Sequence, residues 1–429
     1  MFAFLKKMWY DICVFLWKDT LFFFVRTVKM IKIALLGFGV VGSGTAEVLT
    51  ENKKLIEERL GCEYEIKYIL DLREFPDSPF GSLVVHDFNT IVNDPEVSVV
   101  AEMMGGSHPA YDFTKACLMA GKSVVTSNKE VVSTFGVELC ALAKEHGVRY
   151  LFEASVGGGI PVIRPMINDL SSNKINKISG ILNGTTNYIL TEMRDKGTPF
   201  ADVLKEAQRL GYAEANPSAD VDGIDAARKI VILAALASGK LVDPKTIPTE
   251  GITAITLTDT HVAAAFGFSL KLIGHATVKD DRLTAFVSPR MVPAANPLSR
   301  IDGVFNGILV NANMVGEVMF YGPGAGKLPT ASAVVADIID VIANRDADPK
   351  PIVWTAAEAD DLADFGAYTC RRMWILKSGA EIPAGLSFDD MKVVDDAIAL
   401  LGTACDENTA ATIAATLGDS LLSVYRILD

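Results

Sequence analysis

Residues 31–44 read IKIALLGFGVVGSG, an apolar run that leads directly into the glycine pattern GxGxxG. In such a turn the first glycine, Gly37, permits a tight bend, the second, Gly39, lets the backbone approach a pyrophosphate, and the third, Gly42, lets the next helix pack closely on the strand. The phosphates then lie at the helix N-terminus, where unpaired N–H groups favour an anion. The stretch therefore predicts a Rossmann-type domain that binds a nicotinamide dinucleotide.

Outward from this turn, short apolar runs alternate with longer amphipathic stretches, which is typical of a parallel sheet with helices on both faces. We predict an α/β fold whose Rossmann-type domain spans residues 30–155 and is completed by residues 322–349. Its predicted elements are strand Ile31–Leu36, helix Ser43–Leu60, strand Tyr64–Leu70, strand Val97–Glu102 and strand Ser123–Thr126.

A glycine cluster at residues 157–159 marks a change of pattern. We predict an α+β substrate and dimerisation domain over residues 156–321 and a small C-terminal α+β unit over residues 350–429. The predicted elements after the cluster are strand Ile175–Leu182, helices Asn187–Arg194, Phe200–Leu210 and Gly223–Ser238, a hairpin of His275–Lys279 and Leu283–Val292 that turns at Asp280 and Asp281, helix Ala331–Ile342, strand Tyr368–Lys377, helix Thr409–Leu417 and strand Leu421–Leu428.

Composition excludes several classes of partner. A net charge of −13 argues against nucleic acid, which needs a basic face to neutralise phosphates. The six cysteines are scattered without a CxxC pair, which favours reduced thiols in a cytoplasmic protein and gives no support for zinc. The five histidines occur singly, so we interpret each as an ordinary surface or core residue.

Residues 1–29 differ from the rest of the chain because aromatic residues crowd between recurring charges. A membrane-spanning helix needs about 20 mostly apolar residues with few charges, and this segment fails that test. It also lacks the small-residue cleavage site of a signal peptide. We expect no membrane association and interpret the segment as an extension that the fold does not need, since the first strand starts at Ile31. A weak membrane-surface helix is the alternative interpretation.

The end of the second strand carries two conflicting signals about the cofactor. Asp71 favours the free 2′-hydroxyl of NAD, whereas Arg73 offers a positive charge for the 2′-phosphate of NADP. We expect both cofactors to be accepted. A plain solvated charge is the alternative for Arg73.

The densest polar segment precedes an almost wholly apolar helix. Glu214, Asp220 and Asp222 lead into it, and Asp225 and Lys229 lie four residues apart on one of its faces, with Asp222 expected on the same face one turn earlier. Such a helix is expected to be buried, and buried charges are costly unless they are paired or used. A structural ion pair is the alternative interpretation.

A buried lysine suits the oxidation of an alcohol, because the hydroxyl must lose a proton as the carbonyl forms. Desolvation lowers the pKa of a lysine towards neutrality, so that Lys229 could accept this proton, with Asp225 to orient it or to bind substrate. Lys129 follows the strand Ser123–Thr126 and is expected at the carboxyl edge of the sheet, where such folds bind their ligands. A surface lysine is the alternative interpretation.

These residues resemble the homoserine dehydrogenase family. The resemblance covers about residues 30–349 and rests on LLGFGVVGSG at Leu35–Gly44, TSNKE at Thr126–Glu130, EASVGGGIPVI at Glu153–Ile163, NGTTNYIL at Asn183–Leu190, GYAEANPSADVDGIDAARK at Gly211–Lys229 and YGPGAGKLPTASAVVADI at Tyr321–Ile338. It implies a reversible, NAD(P)-dependent interconversion of L-homoserine and L-aspartate 4-semialdehyde, on the route to threonine, methionine and isoleucine, by a homodimer or homotetramer.

The resemblance also implies roles for individual residues. Lys229 is expected to donate and accept the proton. The substrate ligands implied are Glu214, Asp225, Lys129, Gly184, Thr185 and Tyr212. The cofactor contacts implied are Gly37, Phe38, Gly39, Val40, Val41, Gly42, Lys129, Gly211 and Gly326, to which the charge pattern adds Arg73. A sodium site, built largely from backbone carbonyls, is implied at Glu153, Val156, Gly158 and Ile160.

The sequence departs from the family pattern at three places. Leu70 stands where many members carry Lys or Arg, which argues against strict NADP preference. Asn216 replaces an aspartate common in the acid-rich segment. Residues 350–429 lack the DxPG turn of a regulatory ACT domain, so we expect a degenerate ACT-like unit at best, and no aspartokinase segment is present.

Two other functions remain as alternatives. A semialdehyde dehydrogenase with a cysteine nucleophile would need a reactive thiol, but Cys117 and Cys140 lie in predicted helices. A nucleotide-sensing regulator without catalysis would not need both Lys229 and Asp225.

Overall fold

In a computed structural model, residues 30–382 and 387–428 are described and form two large sheets and one two-stranded pair. Residues 1–29, and the expectation stated for them, lie outside the described residues. None of the described helices is both long and apolar enough to cross a membrane.

The first sheet is parallel throughout. Its strands are β1 (Ile31–Leu36), β2 (Tyr64–Leu70), β3 (Val84–Val85), β4 (Val97–Glu102), β5 (Ser123–Thr126) and β6 (Tyr150–Leu151), and its helices are α1 (Val40–Glu51), α2 (Lys53–Leu60), α3 (Asn89–Val92), α4 (Ala110–Met119) and α5 (Lys129–Glu145). The strand order β3-β2-β1-β4-β5-β6 reverses direction between β1 and β4. Ligands bind at the carboxyl ends of the strands beside such a switch point. The predicted α/β fold and Rossmann-type sheet are confirmed.

The glycine turn has the geometry that its sequence predicts. Gly37 has a φ of +92°, which other residues rarely adopt. A Cβ on Gly42 would lie 2.0 Å from the carbonyl oxygen of Gly37, so only glycine permits this approach of helix to strand. A Cβ on Gly39 would meet nothing within 4 Å, so the space in front of the helix N-terminus is open. The turn therefore leaves room for a phosphate.

The prediction of a single helix over Ser43–Leu60 is wrong in its start and in its continuity, because the structure has two helices there, α1 and α2. The helix begins earlier, at Val40, because the glycine turn leads straight into it. It is then interrupted at Asn52, whose φ of −97° and ψ of 13° leave the helical region, and α2 follows.

The second sheet carries the other large layer. Between residues 163 and 323 the chain forms α6 (Ile163–Ile167), β7 (Ile175–Ile181), α7 (Gly184–Lys196), α8 (Phe200–Arg209), α9 (Ser218–Val221), α10 (Ile224–Ser238), β8 (Lys240–Leu241), α11 (Leu257–Ala265), β9 (Phe268–Lys279), β10 (Arg282–Pro293), β11 (Phe305–Ala312) and β12 (Gly316–Pro323), and all of these strands except β8 belong to the second sheet. The predicted hairpin is longer than expected, but it turns at Asp280 and Asp281, which have φ values of 52° and 59°. Helix α10 packs closely on this sheet, since a Cβ on Gly274 would lie 3.2 Å from the Cβ of Ile230.

Helix α12 (Lys327–Ala343) returns the chain to the first sheet. Val334 and Ile338 join the buried cluster that contains Ile33 and Leu35. At its N-terminus, a Cβ on Gly44 of α1 would lie 2.9 Å from Lys327. The loop before α12 is therefore held beside the glycine turn.

The C-terminal strands continue the second sheet. The last elements of the chain are β13 (Thr355–Ala356), β14 (Thr369–Leu376), β15 (Phe388–Val394), β16 (Ala397–Asp406), α13 (Glu407–Leu417) and β17 (Leu421–Ile427). Short 3-10 helices occur at Gly81–Leu83, Glu153–Ser155, Pro297–Arg300, Ala359–Asp361, Phe365–Ala367 and Gly418–Ser420. The sheet order is β12-β11-β7-β9-β10-β17-β14-β16-β15, while β8 and β13 form the separate pair. Parallel pairing of Arg290 with Arg426 and of Met291 with Ile427 joins residues 350–429 to the rest.

Candidate active site

The first two turns of α10 carry the central pair of charges. Asp225 and Lys229 are buried, at 4% and 8% exposure, as the apolar helix predicts. Asp222 is exposed, so the expectation that it shares their face is wrong. Gly223, with a φ of +82°, bends the chain just before the helix and turns Asp222 away from it.

Lys229 makes two hydrogen bonds within the described chain. Its ammonium donates to the carbonyl oxygen of Leu182 and to Oδ2 of Asp225, both at 2.7 Å. Burial lowers the pKa of Lys229, although the Asp225 carboxylate opposes this shift. Proton exchange near neutral pH becomes easier for such an amine.

Lys129 approaches the same carboxylate from the other sheet. It is the first residue of α5, and its Nζ lies 2.7 Å from Oδ1 of Asp225. The Asp225 carboxylate raises the pKa of Lys129, so this lysine stays a cation. Burial alone would raise the pKa of Asp225, but the two ammonium groups hold it well below its ordinary value. The cluster thus contains a lysine whose pKa is raised, a carboxylate whose pKa is lowered and a second lysine whose pKa is lowered.

Asn183 completes the cluster, and the sequence reasoning did not single it out. Its Nδ2 donates to Oδ1 of Asp220 at 2.7 Å and to Oδ2 of Asp225 at 2.9 Å. Its Oδ1 accepts the N–H of Thr186 and caps α7. An asparagine just before the helix that follows a buried strand is an N-cap signal, and it could have identified this position. Burial raises the pKa of Asp220.

The proposed substrate ligands lie along the start of α7 and the acid-rich loop. The hydroxyl of Thr185 donates to the carbonyl oxygen of Tyr212 at 2.6 Å, which ties the two segments together. A Cβ on Gly184 would lie 2.6 Å from the carbonyl oxygen of Val304, so the backbone is tightly enclosed there. Glu214 is exposed, and its side chain has no hydrogen bond or ion pair among the described residues. Its carboxylate is therefore available to a cationic group.

A cavity of about 480 Å³ extends from the glycine turn along the carboxyl ends of β2 and β4. It is lined by Gly37, Gly39, Leu70, Asp71, Leu72, Arg73, His86, Phe88, Met103, Met104, Gly105, Pro109 and Phe113. Its position is the one that a dinucleotide occupies in this topology. Of the turn residues, Phe38 packs its ring against Phe75, whereas Val40 is 67% exposed at the helix N-terminus.

Asp71 and Arg73, which give conflicting indications about the cofactor, form an ion pair with each other. The Arg73 guanidinium donates to both carboxylate oxygens of Asp71 at 2.9 Å, and the Phe38 N–H donates to Oδ2 at 2.8 Å. These bonds hold the pKa of Asp71 well below its usual range. His86, one of the histidines that occur singly in the sequence, bonds the carbonyl oxygen of Asp71 and the carboxylate of Glu74, and these contacts raise its pKa. A second group that can carry positive charge therefore lines the cavity.

The two other glycines have separate positions. Gly326 caps the N-terminus of α12 with a φ of +122° and precedes Lys327, which pairs with Glu47 of α1 at 2.6 Å. This places Gly326 beside the helix of the phosphate turn. Gly211 follows α8 with a φ of +76° and is exposed at the start of the acid-rich loop.

The segment predicted to bind sodium, residues 153–160, is largely buried, but the carboxylate of Glu153 already accepts hydrogen bonds from the backbone. Oε1 of Glu153 accepts the N–H groups of Val162 and Ile163, and Oε2 accepts that of Arg164, at 2.6 to 2.9 Å. No cluster of acids, histidines and cysteines suited to a metal occurs among the described residues. Any cation here would therefore be held by backbone carbonyls.

The thiols do not support a covalent route. Cys117 and Cys140 are buried in α4 and α5, and burial raises the pKa of each thiol to about 12. A nucleophilic cysteine needs a thiolate that is accessible and stabilised. The alternative of a cysteine-dependent dehydrogenase is therefore disfavoured.

Two family models match the chain. Residues 37–153 match the model described as "Homoserine dehydrogenase, NAD binding domain", and residues 161–339 match the one described as "Homoserine dehydrogenase". Together these matches span both walls of the candidate site.

Curated proteins and solved structures agree with this match. The chain is 42% identical over 320 residues to homoserine dehydrogenase of Bacillus subtilis, which covers 74% of each chain, and 44% identical over 326 residues to that of Neisseria gonorrhoeae, which covers 75% of this chain and 74% of that one. A homoserine dehydrogenase structure from Thiobacillus denitrificans has a TM-score of 0.84 at 37% identity and covers 94% of this chain and 99% of that chain. A hyperthermophilic archaeal homoserine dehydrogenase in complex with NADPH has a TM-score of 0.63 at 28% identity and covers 73% of this chain and 97% of that one.

Proposed function

The chain belongs to the homoserine dehydrogenase family and is an NAD(P)-dependent oxidoreductase, and from this premise we propose that it interconverts L-homoserine and L-aspartate 4-semialdehyde through proton transfer at Lys229. The observation that carries the proposal is the Lys129–Asp225–Lys229 cluster, which brings α10 to the edge of the nucleotide-binding sheet. We assign the reaction to the route to threonine, methionine and isoleucine, and the active form to a homodimer or homotetramer.

The reaction removes a hydride from the carbon that bears the substrate hydroxyl and a proton from its oxygen, and a bound nicotinamide accepts the hydride. A neutral Lys229 amine has two N–H bonds and one lone pair. Leu182 and Asp225 accept those two N–H bonds. The lone pair is then left for the hydroxyl proton, and the lysine returns this proton in the reverse direction.

The ammonium and the carboxylate of the substrate are bound by different groups of the protein. We assign the ammonium group to the Glu214 carboxylate, which has no partner of its own among the described side chains. The N-terminus of α7, at Gly184 and Thr185, offers N–H groups and a positive helix end to the carboxylate. Tyr212 is held between these groups by its bond to Thr185 and by its ring contact with Tyr188 at 5.0 Å.

Residues at the cavity fit either dinucleotide. The open space at Gly39 suits the pyrophosphate, and Asp71 can accept hydrogen bonds from a free ribose. Arg73 is exposed at 63% of its side chain and could leave Asp71 for a 2′-phosphate. We therefore propose that both NAD and NADP are used.

The experiment that tests the function is the initial rate of homoserine oxidation, measured with NAD and NADP separately. We expect both to support turnover, with kcat/KM values within about a thousandfold, or roughly 4 kcal/mol. Arg73→Ala should lower kcat/KM for NADP more than for NAD, and Arg209→Ala, which alters an exposed arginine paired with Glu206, is the control. A larger preference would contradict the use of both cofactors, and an equal loss with both in Arg73→Ala would contradict the role of Arg73 at the 2′-phosphate.

We also propose a monovalent cation, sodium in the first instance, at the carbonyls of Glu153, Val156, Gly158 and Ile160. Val156 and Ile160 are fully buried, and among the described hydrogen bonds the carbonyl oxygens of Val156, Gly158 and Ile160 accept none. A buried carbonyl without a partner is a natural ligand for a hard cation.

Sodium is expected to raise the melting temperature above that in choline chloride of the same ionic strength. At a hundredfold excess over Kd, a bound ion stabilises the folded state by about 2.7 kcal/mol. The melting temperature in potassium chloride shows whether the site is selective: a value below that in sodium chloride indicates selectivity for sodium, and an equal value indicates general binding of monovalent cations. Identical melting temperatures in all three salts would refute the site.

A further inference from the structure

Glu102 is a buried acid that the reaction does not use. It is the last residue of β4, and its side chain is fully buried. Its Oε1 accepts the N–H of Met104 at 2.7 Å, and its Oε2 accepts the hydroxyl of Thr126 at 2.5 Å. No lysine or arginine pairs with it in the described part of the chain. A buried carboxyl without a cation is costly, so its retention needs a reason.

The hydrogen bonds continue from Glu102 to the first turn of α5. The oxygen of the Thr126 hydroxyl accepts the N–H of Asn128 at 2.9 Å. The Asn128 side chain caps α5 by accepting the N–H of Val131, and its Nδ2 donates to the carbonyl oxygen of Gly106 at 2.8 Å. Lys129 is the next residue, and from this turn it reaches Asp225. Two hydrogen bonds, the peptide link from Asn128 to Lys129 and one ion pair thus connect a buried acid to the catalytic cluster.

The Glu102 carboxylate supplies two charged acceptors to this network. The Thr126 hydroxyl donates its one hydrogen to Oε2 and accepts the N–H of Asn128 on one of its two lone pairs, while Oε1 accepts from Met104. A glutamine has nearly the same volume, but it can keep both bonds only by donating its NH₂ group to the second lone pair of the Thr126 hydroxyl. The bond to Thr126 then runs in the opposite direction, and weaker neutral hydrogen bonds replace the charge-assisted ones.

We propose that Glu102 is a positioning residue, whose carboxylate holds Thr126 and Asn128 so that α5 presents Lys129 to Asp225. This inference rests on the proposed function, in which Lys129 belongs to the reacting cluster. It assigns Glu102 no contact with substrate or cofactor.

The proposal has a consequence for pH. Burial raises the pKa of Glu102 to about 7, although the bonds from Thr126 and Met104 oppose the shift. The groups that face it are Thr126 and Asn128 from the end of β5 and Tyr150 from β6, whose own hydroxyl has a pKa raised well above 10. As the pH falls through about 7, Glu102 gains a proton, its charge-assisted bonds to Thr126 and Met104 become weaker neutral ones, and Lys129 is held less firmly.

The test measures kcat/KM for homoserine in three variants of the full chain. Glu102→Gln removes the charge, Thr126→Val removes the hydroxyl, and Thr126→Ser keeps the hydroxyl and is the control. We expect Glu102→Gln and Thr126→Val to lower kcat/KM for homoserine by roughly ten- to a hundredfold, because small misplacement of a catalytic group has effects of this size. Thr126→Ser should stay near the original protein. The melting temperature of Glu102→Gln at pH 8 should be unchanged or higher, because a buried charge has been removed.

A second readout does not depend on activity. Acetylation of Lys129 by acetic anhydride, followed by mass spectrometry, should become several-fold faster in Glu102→Gln and Thr126→Val but not in Thr126→Ser. Lys327, a comparably exposed lysine paired with Glu47, should react at the same rate in all four proteins.

The possible outcomes separate the two proposals. If the original protein does not oxidise homoserine but the labelling changes as expected, the proposed function fails and the positioning role stands. If Lys129 labelling is unchanged in Glu102→Gln, or if activity is lost only in proportion to a lower melting temperature, the positioning role is refuted.

Discussion

Lys229→Ala is expected to lower kcat for homoserine oxidation by roughly a hundredfold or more while leaving the fold and the affinity for the cofactor nearly intact. The lysine is buried, and burial lowers its pKa, which makes proton exchange with the substrate hydroxyl easier than for a solvated lysine. Leu182 and Asp225 occupy two positions on its nitrogen and leave the third for the substrate hydroxyl. Single-turnover and steady-state rates, together with cofactor titration, measure the effect.

Lys271 provides a matched control. It is also buried, and burial lowers its pKa as well. However, its ammonium donates to three acceptors, namely the Asn187 side chain, the Ile301 carbonyl and the Asp302 carboxylate, so all its hydrogens are engaged. Lys271→Ala should therefore lower the melting temperature but leave the kcat of the folded fraction nearly unchanged. If Lys229→Ala behaved in the same way, Lys229 would be structural.

The strands of the first sheet could be predicted because each is a short apolar run between polar segments. The predicted bounds of β1, β2, β4 and β5 match those observed. The glycine turn could be predicted equally well, because each of its glycines is required for a separate steric reason. The start of α1 was placed three residues late because periodicity marks the body of a helix better than its end.

Contacts across the two sheets could not be predicted from patterns. Nothing in the spacing of Lys129 and Asp225 indicates that their side chains meet, because this contact depends on how the two sheets pack. Asp222 was misplaced for a local reason, the left-handed Gly223. Glu102 was hidden because it completes an apolar strand, and only the structure reveals its partners.

Asp225→Asn is expected to lower kcat/KM for homoserine by roughly a thousandfold, with effects on both kcat and KM. The Asp225 carboxylate raises the pKa of both lysines, so its removal should let both values fall. The acid limb of the kcat/KM profile, where Lys229 becomes protonated, should therefore move to lower pH. Breaking one partner from a buried pair also destabilises, by about 3–5 kcal/mol, so the melting temperature must be measured alongside the rates.

The double variant with Lys229→Ala distinguishes a shared role from two separate ones. Because Asp225 acts on the proton through Lys229, its loss should cost much less once that lysine is absent, and the combined effect should be less than additive. Glu214→Ala is the contrasting change, since its exposed carboxylate should affect mainly KM. It should therefore combine additively with Lys229→Ala. Full additivity of Asp225→Asn with Lys229→Ala would mean that the carboxylate serves the substrate alone, and an unmoved acid limb would point to the same conclusion.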